Sequence, residues 1–84
     1  MGNNPLSNLS SDDVIEFLEA NGFRLGNTHG DDAVYCIPGK YDNGIRVTLG
    51  CRSIYPAVIN NIIRFSGIGK AEWRNWFIRK RNHG

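Results

Sequence analysis

The stretch GIRVTLG, residues Gly44 to Gly50, decides the fold. In an extended chain Ile45, Val47 and Leu49 point one way and Arg46 and Thr48 the other, the period of a strand with one buried and one open face. A second run, DAVYCI (Asp32 to Ile37), precedes it and ends at Pro38-Gly39. Between the two runs, PGKYDNG reads as hairpin material, with Asn43-Gly44 suited to the positive φ of a tight turn. Upstream, Phe23-Arg24-Leu25 alternates as a first strand, and Gly26 and Asn27 are expected to turn the chain. Three strands joined in sequence by short connections form an antiparallel meander.

The apolar side of that sheet needs a cover, and the flanking segments carry helical periods. In LSSDDVIEFLEANG, Ser10 or Ser11 can cap the first turn, and Asp12 and Asp13 suit the positive end of the dipole. Val14, Phe17 and Leu18 then make an apolar stripe that ends at Gly22, which places the first helix at about residues 11–21. Pro56 opens a second helix with Ile59, Ile62, Ile63 and Ser66 on one face, and Gly67 stops it. KAEWRNWFIRKR forms a third, whose Trp73, Trp76 and Phe77 share a stripe that is expected to pack in the core rather than to stack on bases. The predicted architecture is α+β: two layers in the order α-β-β-β-α, an antiparallel three-stranded sheet covered on one face by helices, plus an extra C-terminal helix. A single domain is expected over residues 9–80, with flexible ends at 1–8 and 81–84.

Composition narrows the function classes. The 84 residues are near the lower limit for a domain without staples, but the 40% apolar content supports a core. Cys36 and Cys51 are too few and too far apart for a disulfide framework or a metal-ligand cluster, and both read as reduced thiols. No apolar run of membrane length and no secretory signal pattern is present, so the expected location is cytoplasmic, with no membrane partner. No cofactor is implied. The net charge of +2 hides a gradient: residues 1–20 hold four acids and no base, whereas the nine basic residues from Lys40 onward face only Asp42 and Glu72. The basic end suits an anion such as RNA and the acidic helix a basic partner, although helix dipoles account for part of the same asymmetry.

Strand parity brings candidate side chains to the open face. With Phe23 and Leu25 inward, Arg24 faces out, as do Arg46 and Thr48. With Tyr35 and Ile37 inward on the second strand, Asp32, Val34 and Cys36 face out and are exposed beside the arginines. A one-residue slip would exchange Asp31 for Asp32. His29 lies three residues before Asp32, so in one continuous strand it points to the opposite face, and only a bend at Gly30 swings it round. His29, Asp31 and Asp32 do not make a metal site on this reading, because adjacent strand residues diverge and no further carboxylate joins them.

The element order together with NGF (Asn21 to Phe23), GDDAVY (Gly30 to Tyr35), IRVTL (Ile45 to Leu49) and INNIIRFSGIGKAEW (Ile59 to Trp73) resembles the HicA-type (YcfA-like) mRNA interferase toxins over roughly residues 9–77. These are small bacterial ribonucleases of toxin–antitoxin pairs with a double-stranded-RNA-binding-domain-like fold. The resemblance implies a catalytic histidine in the second strand, at the position that counting from Gly30 makes Asp32. Cleavage through a 2′-hydroxyl needs a group that exchanges protons near neutrality, which imidazole supplies and an aspartate with a pKa of about 3.9 does not.

Two functions follow as expectations. The first is a HicA-like RNA-binding protein whose cleavage is weak or lost, with Arg24, Lys40, Arg46 and Arg52 on phosphates, Asp32 at the family's catalytic position and His29 as a possible substitute. The second is a non-enzymatic protein-interaction module of the same fold that holds a HicB-like antitoxin or another partner, since an apolar and charged patch is the usual makeup of an interface.

Overall fold

A computed structural model of the chain describes Leu6 and residues 8–83, with the backbone alone described at 40–43 and 81–83. The elements run α1 (Ser11–Ala20), β1 (Arg24–His29), β2 (Asp32–Ile37), β3 (Lys40–Thr48), α2 (Pro56–Ser66) and α3 (Lys70–His83). The strands form one antiparallel sheet in the order β1-β2-β3. This is the small α+β fold that the patterning predicts.

Each helix starts and packs for identifiable reasons. Ser10 is the N-cap of α1: its hydroxyl accepts the Asp13 N–H, and the Asp13 carboxylate accepts the Ser10 N–H in return, a capping box. Ser11, one residue on, is buried; its hydroxyl donates to the Thr48 carbonyl and accepts the Cys51 N–H at 3.0 Å, which ties the start of α1 to the end of β3. Pro56 opens α2, and Ile59, Ile62 and Ile63 are its buried stripe. In α3, Trp73 and Phe77 are buried, and Trp73 stacks on Phe17 with ring centroids 3.8 Å apart. The Trp73 indole N–H donates to the Ser66 hydroxyl at 3.2 Å. Lys80 fastens the far end of α3 to α1 through Glu16 at 2.6 Å and Asp13 at 3.7 Å.

The core lies between these helices and the inner face of β2 and β3, where Ala33, Tyr35, Ile45 and Val47 are buried. Leu6 joins it, although the patterning assigns residues 1–8 to a frayed end. The helical backbone of α3 likewise continues to His83, beyond the expected boundary at residue 80. The calls on residues 1–5, 7 and 84 lie outside the described residues.

The turns differ from expectation. β1 does not end at Gly26-Asn27; it continues through a bulge between Leu25 and Asn27 to His29, and the chain reverses at Gly30-Asp31. Gly30 has φ +59°, at the first central position of a two-residue hairpin, where glycine carries no Cβ penalty. The second reversal is at Pro38-Gly39, and Asn43-Gly44 lies within β3 rather than in the turn. Between the pairs Tyr35↔Ile45 and Ile37↔Lys40, β2 advances by two residues and β3 by five, so the segment read as a loop is absorbed as a wide bulge.

Two inward assignments also fail. Leu25 has the inward parity opposite Tyr35 but is 54% exposed, because the helices pack against β3 and leave the β1 edge uncovered. Leu49 follows the last residue of β3 and is exposed as well.

Candidate functional site

The site begins with the parity of β2. Ala33 and Tyr35 enter the core, so Asp32, Val34 and Cys36 belong to the opposite, open face. Direct cross-strand pairs share a face, and the register places His29 opposite Asp32 and Asp32 opposite Thr48. The next row is Asn27, Val34 and Arg46. His29 therefore stands on the same face as Asp32. Reading residues 28–35 as one continuous strand misplaces it, because the Gly30-Asp31 reversal brings the two side chains across the hairpin.

Hydrogen bonds define how these groups sit. The Asp32 carboxylate accepts the Thr48 hydroxyl at 3.0 Å, and its other oxygen is 4.0 Å from Arg46 Nε. The side chain of Asp32 is 31% exposed and that of Arg46 67%, so the carboxylate is partly sheltered and the guanidinium reaches outward. Asn27 Oδ1 accepts the Thr28 N–H at 2.8 Å, which leaves its amide nitrogen to face His29 Nε2 at 3.0 Å. An amide nitrogen only donates, so this contact suits the ring tautomer in which Nε2 accepts. The imidazole is oriented by Asn27.

The remaining predicted residues are dispersed. Arg24 is opposite Cys36, but its guanidinium Nη1 donates to the carbonyls of Phe23 at 2.7 Å and Glu19 at 3.2 Å, so it turns to the end of α1 and away from Asp32. Arg52 is exposed in the β3–α2 loop with no hydrogen bond or ion pair to the other site residues among those described. The Lys40 side chain falls outside the described side chains, and its backbone starts β3. Asp31 occupies the hairpin loop, where its carbonyl accepts the Leu49 N–H at 2.7 Å. Among the described residues no three His, Cys, Asp or Glu side chains converge as metal ligands, and no helix is long and apolar enough to cross a membrane.

Cys36 corrects the expectation of an exposed thiol. It is on the open face and outside the core cluster, yet buried, because the bulged neighbours close over β2. A Cβ added at Gly26 would lie 2.8 Å from Cys36 Sγ, and one added at Gly44 would lie 2.6 Å from a Val34 methyl. Asn27 and Thr48 are the partners that residue-by-residue reading missed. The signal for Asn27 was the two-residue hairpin, whose register sets which residues face across from β2, and the signal for Thr48 was its outward parity in the β2–β3 pair.

The open face thus offers an oriented imidazole, a carboxylate held by a hydroxyl, and an exposed guanidinium within one short stretch of sheet. This set can hold a phosphate and exchange a proton. Comparison with protein-family models, with curated proteins and with solved structures finds no match to this chain.

Proposed function

We propose that the chain is a HicA-like RNA-binding protein of a bacterial toxin–antitoxin pair, that the open sheet face is its RNA surface, and that its ribonuclease activity is weak. The observation that carries this reading is the cross-strand pair of His29 and Asp32 with Arg46 beside it. Arg46 takes a phosphate, and His29 Nε2 is the group that can draw the proton from a 2′-hydroxyl. Two features weaken the chemistry. Asp32 occupies the position where the resemblance calls for histidine and sets a negative charge beside the phosphate site, and the Asn27 amide already occupies the His29 lone pair.

A second reading, an interaction module of the same fold that binds a HicB-like antitoxin or another partner without RNA, is favoured by that same carboxylate on the open face. Titration of labelled single-stranded RNA at about 50 and 200 mM salt separates the two, since phosphate contacts make binding steeply salt-dependent. Absence of association at the lower salt eliminates the RNA reading. In a cleavage assay, Asp32→His is expected to raise the rate by about 10² or more, the lower end of what general acid–base catalysis contributes. His29→Gln is expected to remove the residual rate. An Asp32→His protein that binds RNA and leaves it intact refutes the proposed chemistry.

A further inference from the structure

β3 is an edge strand, and an apolar groove runs beside it. The groove, about 370 Å³, lies between Gly44, Ile45 and Arg46 on one side and Val58, Asn61, Ile62 and Phe65 of α2 on the other. Phe65 is 65% and Val58 43% exposed, so α2 presents a second apolar stripe besides the one that enters the core. The Leu49 N–H bonds to the Asp31 carbonyl, and this sets the alternation along β3: Val47 and Ile45 direct their main-chain groups to β2, and Arg46 directs its N–H and C=O away from the sheet. At Thr48 the edge is closed, because the Ser11 hydroxyl takes that carbonyl. The free edge is therefore the segment that faces Val58 and Phe65.

We propose that this groove binds an extended segment of a partner protein, added to β3 as a fourth strand and carrying apolar side chains in alternation with acidic ones. Outward-pointing main-chain groups at a sheet edge are satisfied by another extended chain. Pleating then fixes the pattern of that chain. Residues opposite Ile45 project beneath the sheet against Val58 and Phe65, and the residue opposite Arg46 stands beside the guanidinium. Among the described residues lining the groove Arg46 is the one that is charged, and its sign selects an acid. A second copy of this chain suits the edge poorly, since it brings a second Arg46 onto the same few residues, where like charges repel. Arg46 is shared with the RNA reading, but the strand edge, Val58 and Phe65 are not part of the open face, so the inference stands if RNA does not bind.

The test titrates the full ¹⁵N-labelled chain with the hexapeptide acetyl-Val-Glu-Val-Glu-Val-Glu-amide, with its Val-Lys counterpart, and with a version N-methylated at alternate amides. Shifts are expected in β3 and along α2 at residues 58–65, and the Lys and N-methylated peptides are expected to bind at least about tenfold more weakly. Phe65→Gln, a substitution at an exposed position, is expected to cost a similar factor while RNA binding stays unchanged. Arg46→Glu is expected to reverse the preference to the Lys peptide. Absence of shifts, equal binding of the Glu and Lys peptides, or shifts centred on His29 and Asp32 overturns the proposal. A dimer that Phe65→Gln disperses assigns the groove to a second copy and overturns it too. Loss of RNA binding together with intact peptide binding sinks the preceding reading alone.

Discussion

Asp32→Asn separates the two roles that Arg46 can have on the open face. The carboxylate oxygen and Arg46 Nε are 4.0 Å apart, and both side chains are partly in solvent. An exposed pair of this kind contributes about 0–1 kcal/mol, and asparagine keeps a carbonyl oxygen that can accept the Thr48 hydroxyl, so the variant is expected to fold with little change in stability. RNA binding should change more. Removing the negative charge frees one full cation for phosphate, and each phosphate neutralised steepens the dependence of log K on log salt by about 0.7 for a single strand and about 0.9 for a duplex. Over a fourfold rise in salt that difference is roughly threefold, so between about 50 and 200 mM the variant should lose about three times more affinity than the parent chain, from a tighter starting point. Fluorescence anisotropy of labelled RNA across that range measures it directly. Identical slopes for the two proteins, in the presence of binding, refute the placement of Arg46 on a phosphate beside Asp32.

Other outcomes follow from the packing and the ionisable groups. Trp73→Ala removes the fully buried indole stacked on Phe17 and should cost about 3–5 kcal/mol, a large share of the roughly 4–13 kcal/mol total for a domain of this length, so the urea midpoint should fall by about a quarter or more. Gly26→Ala places a Cβ 2.8 Å from the buried Cys36 sulfur, and with little room for that sulfur to move the variant should lose about 1–3 kcal/mol by the same measurement. Burial, with Glu19 adding, pushes the Tyr35 phenol above its ordinary value, and the hydrogen bond to Glu16 holds Lys80 above the usual lysine value. Both folded-state values are raised, so the stability linked to them is fully present below about pH 10 and is lost as pH rises through the folded values. Thermal melts should fall in that alkaline window, and Lys80→Met should make the fall shallower.

The sequence patterning anticipated the elements that rest on side-chain period. β2 was legible to the residue, the stripe of Ile59, Ile62 and Ile63 marked α2, and of the tryptophans of α3 Trp73 packed in the core as their spacing required while Trp76 is half-buried against it. Parity on β2 held, so Asp32 faces outward as expected. The reversals were less legible. Asn43-Gly44 has the chemistry of a hairpin turn, but Pro38-Gly39 competes for the same task a few residues earlier and prevails, leaving the former to a bulge. Gly26 was read as a turn for its freedom, whereas it is needed for close approach to Cys36. The face of His29 stayed conditional on a bend at Gly30, which the structure supplies, since a side chain's face cannot be counted through a reversal that has not been located. Arg24 shows a different limit: strand parity fixes where a Cβ points but not where a long side chain ends, and the carbonyls of Glu19 and Phe23 drew the guanidinium away.

The Gly30-Asp31 reversal also governs how durable the site is. His29 is carried by β1, every residue of which is exposed, whereas Asp32 is carried by the central strand, whose alternate side chains are in the core. Detaching the outer ribbon of the hairpin costs few buried contacts and separates imidazole from carboxylate without melting the domain. The pair is thus a hinged assembly, whole only while that ribbon stays docked, and a ligand spanning both side chains acts as the clasp that keeps it closed.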